Sequence, residues 1–324
     1  MARNILVVGE LDAGAVSSTT AELIGQATRL ADGGQVSVTL LGSGAAGAAA
    51  AAFEAGADRA FTGDDAGYDN YNSDSWVSAV ENAVGQASAE AVFIAQSVVG
   101  RDMGPRIAAR LGSAVAMDCV DVTDDGGALK ATRPCYGGNA RATYGFATSP
   151  AVATIRAKAF DPIAPRAGAS GETVDLGAPA ASRTTIVGRE LAEASGLQIT
   201  DAPIVVSGGR GLGGPEGFEV VEALAAAFGT NRAAVGASRA ACDLGWYPVS
   251  QQVGLTGKVV TPDLYVAIAI SGASQHMAGC SGSKMIIAVN RDPDANIFSA
   301  AKYGIVGDYK QVVPALIEAL KAAS

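Results

Sequence analysis

The stretch SGASQH, Ser271 to His276, holds the one histidine of a 324-residue chain. It lies directly behind the apolar run LYVAIAI (264 to 270), in a loop of small residues that lets backbone approach a planar ligand. Two readings are open for His276: a donor to a bound cofactor, or a histidine satisfied inside the core. Other polar residues stand at the ends of apolar runs. GASR (236 to 239) offers the Ser238 hydroxyl and the Arg239 guanidinium, and QVGLTG, from Gln252, Val253, Gly254, Leu255 and Thr256 to Gly257, is a polar loop bracketed by glycine. Asn290 and Asp308 each close a further run. This set has many donors and few titratable bases, which suits holding a large anionic cofactor better than acid–base turnover.

Acyl transfer and metal chemistry find no support in these residues. No GxSxG elbow accompanies the histidine, and no carboxylate cluster offers metal ligands. Cys119, Cys135, Cys242 and Cys280 stand far apart with no CxxC, so they read as buried free thiols.

Two stretches match GxGxxG: GSGAAG (42 to 47) and GRGLGG (209 to 214). Among 41 glycines roughly 0.6 such matches arise by chance, so context has to decide. The first follows the second apolar run rather than the opening one and reads as a structural turn. The second lies between IVVS and a helix expected from Pro215 to Phe228, whose first N–H groups suit an anion, and it carries Arg210 inside the loop.

These residues need a scaffold that brings strand ends together. Apolar runs at 5 to 10, 35 to 42 and 91 to 97 alternate with helical patterns at 18 to 31, through an Ala-rich stretch, at 73 to 88 behind a Ser73 cap, and onward to Leu111. Such spacing predicts βαβ units and a parallel sheet covered on both faces. From about 114 to 160 the pattern turns to β-like alternation with glycines, read as added strands. The alternation resumes at 203 to 209, 233 to 238, 264 to 270, 284 to 290 and 303 to 308, with a terminal helix over VVPALIEALKAA. The fold class expected is therefore α/β in two domains, 1–190 and 200–324. The Pro-, Gly- and Ser-rich segment 161 to 183, or the residues up to 202, forms the boundary. In an open α/β sheet the polar strand ends above would converge on one crevice.

With 49% hydrophobic and 17% charged residues the chain has material for a sizeable core. A net charge of −9 and 23 scattered basic residues exclude broad contact with nucleic acid or an anionic bilayer. The N-terminal apolar run is too short for a signal peptide, and no run reaches the roughly 18 residues of a membrane span. The expectation is a soluble, cytoplasmic protein.

From Pro203 onward VVSGGRGL, GASRAA, QVGLTGKVVTPDLYVAIAISGASQHMAGC, IIAVNRDP and YGIVGD closely resemble the FAD-binding domain of electron-transfer flavoprotein alpha subunits. The likeness is strong over about 120 residues and looser over the N-terminal domain, which looks nucleotide-binding-like. Departures are Leu255 where the family usually has Gln, Ala269 where Gly is common, and Gly217 where Asn is usual. The resemblance implies one FAD in a doubly wound C-terminal domain, pairing with a beta subunit, and electron relay between dehydrogenases, such as acyl-CoA dehydrogenases, and a quinone oxidoreductase or other acceptor. It implies no catalytic residue acting on a substrate. It places Arg239 against the flavin ring, Thr256 at its N5 edge, and His276 with Gln275 at the pyrimidine carbonyl. Arg210, Ser238 and Ser271 serve the diphosphate, Asn290 and Asp308 the ADP end, and Gly272, Ala273 and Ser274 complete the loop. Some members bifurcate electrons with a second FAD in the beta subunit, which this chain does not decide. An NAD-dependent oxidoreductase rests on GRGLGG alone and lacks the acidic residue about 20 positions on, where residues 229 to 235 read GTNRAAV. A cofactor-free interaction protein is the remaining alternative.

Overall fold

The computed structural model describes residues 2–138, 140–188, 197–229 and 231–323. It divides into two compact units, Met1–Pro134 with Arg141–Arg189, and Glu190–Ser324 with Cys135–Ala140. The part of the expected domain boundary that falls on 189–196 lies outside the described residues.

The first unit is built on seven parallel strands in the order Glu172–Asp175, Arg59–Gly63, Val36–Leu41, Ile5–Val8, Ala91–Ala95, Ala151–Ile155, Val115–Cys119. The central runs ILVV, VSVTLL and AVFIA are buried at every position, as strands covered on both faces must be. Each face has its own apolar layer: Leu23, Ile24 and Ala27 of the helix Ser18–Ala31 on one, Trp76, Val77 and Val80 of Ser73–Ala87 on the other. Local chemistry starts these helices. Ser17 Oγ accepts from Thr20 N at 3.1 Å, and Ser97 Oγ from Gly100 N at 3.0 Å ahead of Val98–Arg110. The cap of Ser73–Ala87 is Asn72, not the expected Ser73, whose hydroxyl is taken up by Arg106. Residues 114–160 hold a three-stranded sheet, Asp121–Asp125, Ala128–Cys135 and Ala140–Gly145, and also give two strands, Val115–Cys119 and Ala151–Ile155, to the main sheet. Glu172–Asp175, inside the segment read as boundary, pairs with Arg59–Gly63 as an edge strand.

The turn GSGAAG proves to be structural. Gly44, at φ +88, starts the helix Ala45–Glu54, and the backbone donors around it are already taken. Asp64 accepts from Gly44 N and Ala46 N, and Asp69 from Ser43 N at 2.7 Å.

The second unit is one parallel sheet in the order Gln252–Val253, Ala233–Ser238, Ile204–Gly208, Leu264–Ile268, Met285–Asn290, Tyr303–Val306. In chain order this is 3-2-1-4-5-6, the doubly wound arrangement whose order reverses beside its first strand. Val205, Tyr265, Ala267 and Cys280 belong to one buried layer, and Val206, Val221, Leu224 and Val313 to the other. The helix expected from Pro215 runs Gly217–Ala227. Two short helices, Arg239–Asp243 and Ile297–Ala300, and the two-residue strand Gln252–Val253 were not legible in the sequence. Among the described residues no helix is long and apolar enough to cross a membrane. The cysteines are free; Cys119, Cys242 and Cys280 are buried, whereas Cys135 is only half-buried, against expectation.

Candidate functional site

At the carboxyl ends of the second unit's strands lies a cleft of about 710 Å³, within the roughly 300–1,000 Å³ range of cofactor sites. Its walls are the Gly-rich loop after Ile204–Gly208, the turn into helix Arg239–Asp243, the loop 252–256, the segment 269–276 and the turn after Met285–Asn290. Of the residues singled out in the sequence, the cleft gathers Arg210, Ser238, Arg239, Gln252, Val253, Gly254, Leu255, Thr256, Ser271, Ala273, Gln275, His276 and Asn290.

The remaining three do not line it. Gly272 is used for packing: its φ is +80, and a Cβ there would come within 2.2 Å of Ile297 N. Ser274 is exposed at the start of helix Ser274–Cys280. Asp308 starts the terminal helix Tyr309–Ala323, its Oδ1 accepting from Lys310 N at 2.9 Å.

Loop 252–256 is held by backbone more than by side chains. Lys258 N donates to Gln252 O at 2.7 Å, and Leu255 N to Gln275 O at 2.7 Å. This explains how Leu255, with 59% of its surface exposed, can stand where a glutamine is usual in the resemblance. The loop reaches helix Ser274–Cys280 closely enough that a Cβ at Gly279 would lie 2.3 Å from Gly254 N. Gln252 Nε2 donates to Thr256 Oγ1 at 3.0 Å, leaving the threonine proton free to donate. Asn290 is committed at both ends of its amide: Nδ2 donates to Ile270 O at 2.9 Å and Oδ1 accepts from Asp292 N at 3.0 Å.

The charges at the rim are mixed. Arg210, Arg239 and Arg291 face the cleft together with Asp243 and Asp292. Arg239, its side chain 66% exposed, pairs with Asp243 one helical turn on at 3.2 Å. His276 is the opposite case, only 7% exposed. Burial pushes it down to about 4, a hydrogen bond of the ring with the Val253 backbone opposing this in part, so the imidazole is neutral at pH 7. Its Nε2 lies 2.9 Å from the Tyr265 hydroxyl. Its Nδ1 and Ser238 Oγ are both buried and make no hydrogen bond of good geometry in the chain, although the Val253 backbone lies beside the imidazole.

Sequence reasoning missed Asp243, Arg291, Asp292 and Tyr265. The first had a signal, an acid four residues after Arg239 on a helical turn, and Arg291 and Asp292 follow Asn290 directly. Tyr265 is the one polar side chain in LYVAIAI. A second cleft, about 750 Å³ in the first unit, has its carboxylates engaged: Ser97 donates to Glu10 and Ser43 to Asp69.

Buried polar atoms without a hydrogen bond of good geometry are rare in folded chains, and two of them in one cleft fit a ligand rich in acceptors. Fold and site together define a two-unit α/β protein with a dinucleotide-type cleft in its second unit. Comparison with known proteins makes this specific. Residues 5–181 match the electron transfer flavoprotein domain, and residues 198–281 the electron transfer flavoprotein FAD-binding domain. The chain is 37% identical to the electron transfer flavoprotein subunit alpha of Bacillus subtilis over 323 residues, covering 99% of this chain and 98% of the relative. It is 39% identical to the subunit alpha of Mycobacterium leprae over 319 residues, covering 98% of both. It is 37% identical to Protein FixB of Clostridium saccharobutylicum over 326 residues, covering 98% of this chain and 96% of that one. The chain belongs to the electron-transfer flavoprotein alpha subunit family.

Proposed function

We propose that this chain carries one FAD in its second unit, pairs with a beta subunit, and relays electrons between dehydrogenases and a quinone oxidoreductase or other acceptor. The observation that carries the reading is the pair of buried polar atoms without a hydrogen bond of good geometry, Ser238 Oγ and His276 Nδ1, in a cleft whose walls lie largely within the residues matching the FAD-binding domain. The bound flavin supplies the redox chemistry, taking up and giving back electrons one or two at a time.

The chain's own residues bind and tune. Arg210 and Ser271, with Ser238, stand where they can hold a diphosphate at the loop after Ile204–Gly208. Thr256 has a hydroxyl proton to give, because Gln252 already donates to its oxygen. The guanidinium of Arg239, held by Asp243, favours negative charge developing on a ring beside it, and the neutral imidazole of His276 adds a donor rather than a second charge. Few side chains in the cleft can take up or release protons near pH 7, in keeping with an electron carrier.

The test is to purify the full-length chain with its beta subunit and measure flavin per heterodimer by absorbance, then reduction by an acyl-CoA dehydrogenase with its substrate. A yellow complex with FAD bound to this chain, reduced by the dehydrogenase, is expected. A colourless complex, or flavin unaffected by Ser238→Val together with His276→Leu, overturns the reading.

A further inference from the structure

We propose that Tyr265 is a positioning residue: its buried phenol donates to His276 Nε2 and thereby places the single imidazole proton on Nδ1, the atom that makes no hydrogen bond of good geometry in the chain. The inference rests on the reading that the cleft holds a flavin.

Tyr265 lies on Leu264–Ile268, flanked by Ile204–Gly208 and Met285–Asn290, and is 0% exposed. No solvent reaches its hydroxyl, so its hydrogen bonds must come from the chain. Burial, with Cys280 beside it, holds the phenol well above its ordinary range, so it always has a proton to give. A neutral imidazole has one N–H and one lone-pair nitrogen, and the contact at 2.9 Å can be made in two ways. If Nε2 carried the proton and donated to the phenol oxygen, the phenol's proton would be left to the Cys280 thiol, a poor acceptor, or to Ser207 Oγ, which makes no hydrogen bond of good geometry. The Nδ1 lone pair would also be buried bare. If the phenol donates to Nε2, the best acceptor present is used, and Nδ1 becomes an N–H.

The consequence is selectivity without charge. His276 then offers the cleft a donor and no lone pair, so it accepts a ring carbonyl and refuses a ring N–H. An imidazole free to change tautomer would accept either.

The chain has a single histidine, which makes the tautomer directly readable. The full-length protein, purified with its bound flavin and any companion chain and labelled with 15N-histidine, is examined at pH 7 by long-range proton–nitrogen NMR. The His276 signals are those that vanish in His276→Gln. Expected in the wild type is a protonated Nδ1 and a bare, hydrogen-bonded Nε2. In Tyr265→Phe freed of its flavin the proton no longer rests on Nδ1 alone but is shared with Nε2, and flavin added back dissociates about two- to tenfold more readily. A protonated Nε2 in the wild type, or an Nδ1–H undiminished in the flavin-free variant, overturns the proposal. Should that variant fail to fold, the wild-type spectrum decides alone. Absence of flavin absorbance from the wild-type protein overturns the flavin reading instead, and the same spectrum still decides the tautomer.

Discussion

Arg239 and His276 approach one cleft with opposite physics. Arg239 is exposed and half-neutralised by Asp243, so the contact with the flavin proposed for it would belong at the lower end of charge-assisted bonds, about 1.5 kcal/mol. For a one-electron couple that is about 65 mV, and Arg239→Ala should lower the potential of the bound flavin by that order. Asp243→Asn should raise it, because it releases the guanidinium from its partner. Redox titration of both variants at full flavin occupancy checks the pair, and shifts in the same direction would show that the carboxylate does not mask the arginine. His276 acts on stability. Its value is 6.5 when unfolded and about 4 in the fold, so well above pH 6.5 neither state binds a proton there and the group contributes nothing to pH dependence. As the pH falls from 6.5 toward 4 the unfolded chain gains a proton that the folded chain refuses, and stability declines by on the order of 3 kcal/mol. His276→Gln should flatten the fall in urea midpoint between pH 7 and pH 5. An identical fall in the variant would place the acid sensitivity elsewhere.

At the scale of elements, the approach of loop 252–256 to helix Ser274–Cys280 is a backbone contact that one methyl would break. Gly279→Ala puts a Cβ 2.3 Å from Gly254 N, so the loop has to move, at a cost of about 1–3 kcal/mol and with loss of flavin. Gly85→Ala, in helix Ser73–Ala87 with nothing within 4 Å of the added Cβ, should instead gain about 0.5–1 kcal/mol. Thermal unfolding and flavin content of the two variants make the comparison, and a Gly279→Ala protein as stable and as yellow as the wild type would refute the close contact. The long elements were legible in the sequence because burial on both faces writes itself as continuous apolar runs, as in ILVV and AVFIA. What escaped was short or exposed. Gln252–Val253 has two residues, too few for any period, and Glu172–Asp175 reads ETVD, polar enough to pass for linker, since it is an edge strand with Glu172 tied to Arg59. The cleft's strand-end loops were legible by the same logic that placed the strands. Gly272 and Asp308 were singled out because a loop glycine and a strand-end aspartate look alike whether they face a ligand or hold a neighbouring helix, and neither lines the cleft.

Over the whole molecule, no group of three or more His, Cys, Asp or Glu among the described residues could hold a metal ion. Exhaustive treatment with a chelator should leave melting temperature and flavin content unchanged, and a fall in either would reveal a metal held in some other way. Each unit opens a glycine turn onto a helix, the first after Val36–Leu41, the second strand of its sheet in chain order, and the second after Ile204–Gly208, the first of its own. In the first, the turn's N–H groups are filled by Asp64 and Asp69 from the same unit. A phosphate arriving there would have to displace two carboxylates while being repelled by them. At this turn the first unit thus carries its own plug, which makes the turn a poor competitor for any nucleoside phosphate. Carboxylates do there what backbone carbonyls do at the second unit's glycine loop, where Gly209, Gly211, Leu212 and Gly213 donate to Ile268, Ala269, Gly209 and Arg210.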